Sequence, residues 1–110
     1  MADPLKYVQN DSGPPLRATL IDLSTNLPVD VSNAGTTVRY KFRLKPDGAV
    51  TTIVATKPNG GADGVVSVAF SGGNFSEAGW YEGEFEITFN TGIVQTTYDK
   101  VSKEVREQIG

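Results

Sequence analysis

The chain has 110 residues, 38% of them hydrophobic and 21% charged, with five phenylalanines and four tyrosines to fill an interior; this suits one folded domain and leaves no room for a second core. It has no cysteine and no histidine, which excludes a disulfide framework, thiolate or imidazole metal ligation, and nucleophilic catalysis by Ser–His or Cys–His pairs. A net charge of -3 and a pI near 4.8 argue against a broadly basic surface for nucleic acid.

The first ten residues lack the basic-then-apolar pattern of a signal peptide, and no apolar run approaches the roughly 18 residues of a membrane helix. The expectation is a soluble protein made in the cytosol. In residues 1–14, Asp3, Lys6, Asn10, Asp11, Ser12, Gly13 and Pro14 offer little core, and Pro14-Pro15 blocks regular pairing, so this stretch is predicted to be an arm that gains order chiefly from a partner. Residues 15–110 are predicted to form one domain.

Strand-like segments with turn signals between them then follow. Residues 16–23 put Leu16, Ala18 and Leu20 on one face, the loop Ser24-Thr25-Asn26-Leu27-Pro28 follows, and Val29 and Val31 flank Asp30 in a short extended piece. In residues 37–45, Val38, Tyr40, Phe42 and Leu44 alternate with Arg39, Lys41, Arg43 and Lys45; one face must be core and the other wet. Pro46-Asp47-Gly48 supplies turn chemistry, and residues 50–56 form the return arm of a hairpin. A second turn, Lys57-Pro58-Asn59-Gly60, precedes the strand of Val66, Val68 and Phe70, which Ser71-Gly72-Gly73-Asn74 ends. Residues 79–90 carry the longest alternation: Tyr81, Gly83, Phe85, Ile87 and Phe89 share one face, and Glu82, Glu84, Glu86 and Thr88 the other. Asn90-Thr91-Gly92 turns the chain into an extended segment over 93–98. In 99–109, Val101, Val105 and Ile109 suit either a helix face or one face of a strand; a final strand is favoured, with a short helix as the alternative. The fold class is all-β, an immunoglobulin-like antiparallel β-sandwich of about seven strands.

Glu77-Ala78-Gly79-Trp80-Tyr81 resembles the approach to strand F of immunoglobulin-type domains, where an inward tyrosine bonds nearby backbone, so Tyr81 is the candidate structural tyrosine corner. Gly83 then stands where antibody domains carry a cysteine. Trp80 points opposite to Tyr81, and with Asn74, Phe75 and Tyr7 it makes the candidate interface. The basic row Arg39, Lys41, Arg43 and Lys45 and the acidic row Glu82, Glu84 and Glu86 are expected to face each other on one outer sheet surface. Asp22, Asp30, Asp47 and Asp63 are scattered over loops and strand ends, as backbone caps are, without calcium-loop spacing. No catalytic residue, metal or cofactor is expected.

The succession Pro15-Leu16-Arg17-Ala18-Thr19-Leu20-Ile21-Asp22-Leu23, then Leu27-Pro28-Val29-Asp30-Val31, then Val38-Arg39-Tyr40-Lys41-Phe42, and later Ala78-Gly79-Trp80-Tyr81-Glu82-Gly83-Glu84-Phe85, resembles the N-terminal domain of the phage baseplate upper protein family over residues 15–99. The resemblance implies an immunoglobulin-like module in a tailed-phage virion, as baseplate, tail, neck or capsid decoration. It also implies virion structural proteins as partners and a multimeric state in the particle; the lack of an apolar span and the acidic charge balance argue against membrane and nucleic acid as partners. Baseplate upper proteins continue into further domains, whereas this sequence stops at Gly110. A carbohydrate or host-surface binding module, built around Trp80 with nearby Tyr81 and Asn74, is the alternative function.

Overall fold

The computed structural model describes residues 5–8, 15–22, 24–45, 48–75, 77–96 and 101–106. Its two longest strands are the two segments of longest alternation, β5 (Thr37–Leu44) and β8 (Gly79–Thr88). They pair antiparallel, Val38 opposite Ile87, Tyr40 opposite Phe85 and Phe42 opposite Gly83. Because side chains alternate across a strand, this register gathers every large apolar residue of both strands except Trp80 on one side.

The remaining strands assemble around that pair. β6 (Thr51–Val54) pairs antiparallel with the free side of β5. On the other side of β8 lie β9 (Val94–Thr96), beside its C-terminal half, and β10 (Val101–Arg106), beside its N-terminal half. β1 (Leu5–Val8) runs parallel to β10 and closes the sheet, whose order is β1-β10-β8-β5-β6. A second sheet pairs β2 (Leu16–Thr19) with β7 (Val65–Val68), and a small hairpin joins β3 (Ile21–Asp22) to β4 (Leu27–Pro28). The chain passes from the large sheet to the small one just after β6: Ala55 N–H donates to Val38 O, and the next residue, Thr56, exchanges backbone bonds with Ser67. The fold is all-β, and among the described residues the pairing is antiparallel except at β1–β10.

One core lies between the two sheets. Leu16, Val66 and Val68 from the small sheet cluster with Val38, Tyr40, Phe42, Tyr81, Phe85 and Ile87 from the large one. Aromatic rings occupy its centre: Tyr40 and Phe85 stand 4.9 Å apart, Phe70 and Phe75 5.0 Å, and Phe75 and Tyr81 meet edge to face at 5.3 Å. Tilted and edge-on contacts of this kind suit the ring quadrupoles. Gly83 is what lets Tyr40 lie flat across β8, because a β-carbon at position 83 would run into the Tyr40 hydroxyl and ring.

Four expectations are corrected. The single strand over 16–23 is two, because β2 pairs with β7 and β3 with β4; between them, Leu20 N–H donates to Gly64 O and Leu20 O accepts from Val29 N–H. The loop 24–28 contains β4, reached through Asn26, which adopts φ 58, a left-handed conformation that asparagine tolerates well. The arm over 1–14 contains β1, since backbone pairing with β10 requires no side-chain pattern. Phe75 is the fourth, and it is treated with the site below.

Residues 101–106 are strand, as favoured. The turn at 90–92 closes with Gly92 N–H donating to Phe89 O, Gly92 at φ 92, and the turn at 57–60 closes with Gly60 N–H donating to Lys57 O. Pro46 and Asp47 of the first turn lie outside the described residues, but Gly48 N–H donates to Leu44 O across it.

Candidate interaction surface

The outer face of the large sheet follows directly from the β5–β8 register. With the apolar residues turned inward, Arg39 falls opposite Glu86, Lys41 opposite Glu84 and Arg43 opposite Glu82. Two ion pairs form: Arg43 Nε to Glu82 Oε2 at 2.7 Å, and Lys41 Nζ to Glu86 Oε2 at 2.8 Å, the latter reaching diagonally past the carboxylate directly opposite. Arg39 donates to Thr88 Oγ1 at 3.3 Å. The two charged rows share the outer face as expected, but only Arg43–Glu82 pairs across its own rung. Between these rows and the β6 edge, a shallow depression of about 380 Å³ is lined by Lys41, Arg43, Val50, Glu82 and Glu84.

Apolar residues frame this charged strip. Val54 faces Arg39 in register, Val94 faces Thr88, and both are more than half exposed, as is Val50. Trp80 lies at the start of β8, on the same outer face as the glutamates, and is 43% exposed. Its carbonyl accepts from Lys45 N–H at 2.8 Å, so its backbone is tied to the end of β5 while the ring faces outward.

Tyr81, the next residue, points the other way. It is buried, and its hydroxyl donates to Glu77 O at 2.7 Å, four residues upstream. Burial pushes the phenol pKa up, and the Glu77 charge adds a smaller upward push, while the bond donated to the Glu77 carbonyl requires the proton in place. The phenol is thereby held as a neutral donor.

Of the other proposed interface residues, Phe75 is in the core. Phe75 has no exposed surface: the 3-10 turn Gly72–Phe75 carries it into the core against Phe42, Phe70 and Tyr81. Its polar, glycine-rich surroundings read as a surface loop, and the apolar space it fills lies on elements distant in sequence. Asn74 is engaged locally, its Oδ1 accepting from Ser71 N–H at 2.7 Å and Ser71 Oγ at 3.3 Å. Tyr7 is in β1 with its backbone opposite Val105, and its side chain lies outside the described residues.

Sequence reasoning singled out Trp80 but not Val50, Val54 and Val94. Val54 sits in a strand whose outward partners are charged, a signal readable only once the register is known.

The aspartates cap turns. Asp22 Oδ1 accepts from Ser24 N–H at 2.9 Å and Ser24 Oγ at 2.6 Å, Asp30 Oδ1 from Ser32 N–H at 2.9 Å, and Asp63 Oδ1 from Val65 N–H at 3.0 Å. Those donors hold all three carboxyls below the ordinary aspartate pKa. Asp47 lies outside the described residues. Lys57 braces the loop before β5, donating to Thr36 O at 2.6 Å and Asn33 O at 3.2 Å.

What this arrangement offers chemically is an open, shallowly recessed surface of charges with apolar margins, suited to contact with another macromolecule. No family model matches the chain, and no curated protein matches it in sequence.

Proposed function

We propose that the chain is an immunoglobulin-like assembly module and a structural or accessory component of a tailed-phage virion, acting through protein–protein contact without catalysis. The immunoglobulin-like reading draws on the sheet order β1-β10-β8-β5-β6 facing β2–β7 and on the Tyr81–Glu77 bond at the entry to β8. Both are features that an immunoglobulin-like sandwich with a tyrosine corner would have. The virion role draws on the resemblance of residues 15–99 to the baseplate upper protein family. The observation that carries the assembly role is the outer sheet face, where Trp80 and three valines stand exposed around a fixed charge ladder.

Density-gradient-purified phage particles made with this gene present test the role. Mass spectrometry should find the chain at a constant ratio to the major capsid protein and still there after a high-salt wash; particles free of the chain would contradict it. The exposed Trp80 ring favours glycan binding as a second reading. Saturable binding on a glycan array, lost in Trp80→Ala, would support that reading instead.

A further inference from the structure

The charged columns on the outer face are complementary to themselves. Arg39, Lys41 and Arg43 run along β5, and Glu82, Glu84 and Glu86 run beside them along β8, rung by rung. A second copy can be laid face to face on this surface about a two-fold axis parallel to the strands or about one perpendicular to them. The perpendicular axis returns each column onto its own kind, cation over cation. The parallel axis, running between β5 and β8, puts β5 of each copy over β8 of the other and keeps every rung at its own height.

We propose that the chain forms a two-fold dimer through this face, with the cationic column of one copy on the acidic column of the other and Lys41–Glu84 at the centre. The proposal goes beyond the assembly reading and does not depend on the virion, because it concerns the isolated chain.

The ladder within one copy leaves charge unspent. Lys41 is drawn to Glu86, so among the described residues Glu84 has no ion pair, and Arg39 has only the Thr88 hydroxyl. The parallel axis brings Glu84 over Lys41 of the second copy and within side-chain reach of its Arg39. Sheets that stack face to face keep their strands within about 30° of each other, a rotation that displaces the central rung least. The apolar margins are also placed to meet: β6 with Val54 comes over the β9 side of the other copy, where Val94 is exposed, and the Trp80 end of β8 comes over the Lys45 end of β5. Eight residues of β5 lie over eight of β8, and the four of β6 over the β9 and β10 side, roughly 400 Å² per copy and about 800 Å² in total. That is the size of weak, transient interfaces. A contact of this size, centred on ions, should be weak, reversible and sensitive to salt.

Sedimentation equilibrium on the full chain tests this at about 20 mM and about 0.5 M salt, between which the Debye length shortens several-fold. The expected result is a monomer–dimer equilibrium at low salt, weakened tenfold or more at high salt. Emission from Trp80, the sole tryptophan, should shift to shorter wavelength as dimer forms. Glu84→Lys and, from the opposite column, Arg39→Glu should each weaken the dimer at least tenfold while melting close to the parent. Glu84→Lys combined with Lys41→Glu should recover most of the lost association. Arg17→Glu, on exposed β2 of the other sheet, should leave association unchanged. A chain that stays monomeric at every concentration and salt would overturn the proposal. So would folded column variants that associate like the parent, or an Arg17→Glu effect as large as theirs.

Discussion

Two adjacent residues, Trp80 and Tyr81, divide the labour at the start of β8: one is offered to the outside and the other ties the strand to the chain before it. The Tyr81 ring and hydroxyl do separable things. Tyr81→Ala should destabilise the fold by about 3–5 kcal/mol, the cost of truncating a large aromatic in a core. Tyr81→Phe keeps the ring against Phe75 and loses only the bond to Glu77, so it should cost about 1 kcal/mol. Urea denaturation of both variants measures the split, and a Tyr81→Ala chain as stable as the parent would place Tyr81 outside the core. Gly83→Ala should cost about 1–3 kcal/mol by forcing Tyr40 aside, which thermal melting would register. Tyr81 was legible because acidic-small-glycine before an alternating strand is a local pattern. Phe75 was not, because only tertiary packing shows that the 3-10 turn points inward.

At the scale of elements, the β5–β8 pair sets the register of the large sheet. Its outer charges hold that register from one side and its apolar rows from the other. The Arg43–Glu82 and Lys41–Glu86 pairs are partly exposed, so each should show a coupling of only about 0.2–1 kcal/mol in a double-mutant cycle, declining as salt is added. Coupling of Lys41 to Glu86 should exceed its coupling to Glu84, although Glu84 is the residue opposite; equal couplings would mean that the diagonal bond is absent in solution. Alternation made these two strands readable, since polarity switches at every residue over their full length. β1 and β4 carry no such contrast. They are four and two residues long, and their pairing depends on which strand edge is left open, which a linear reading does not reveal.

Across the whole molecule, a single core between two sheets is closed at its loops by side-chain caps, and those caps give the fold a dependence on acid. Folding lowers the pKa values of Asp22, Asp30 and Asp63 through bonds from Ser24, Ser32 and Val65 and neighbouring donors. In the acid range the native state thus binds fewer protons than the unfolded chain. The stabilisation is present above the unfolded aspartate pKa and is lost as pH falls through the lower native values, below about pH 4. Melting temperature should therefore drop in that window, and Asp63→Asn, which keeps an acceptor for Val65 N–H, should make the drop shallower. An unchanged acid limb in Asp63→Asn would remove Asp63 from the account.

The core, the outer ladder and the dimer face all rest on one register, Tyr40 opposite Phe85 and Lys41 opposite Glu84. Cross-strand α-proton NOEs in the NMR spectrum of the full chain read it most directly. Contacts should join alternate rungs of the series Val38–Ile87, Arg39–Glu86, Tyr40–Phe85, Lys41–Glu84, Phe42–Gly83 and Arg43–Glu82. NOEs displaced by one residue, placing Tyr40 opposite Glu84 or Glu86, would turn charge into the core and contradict the account.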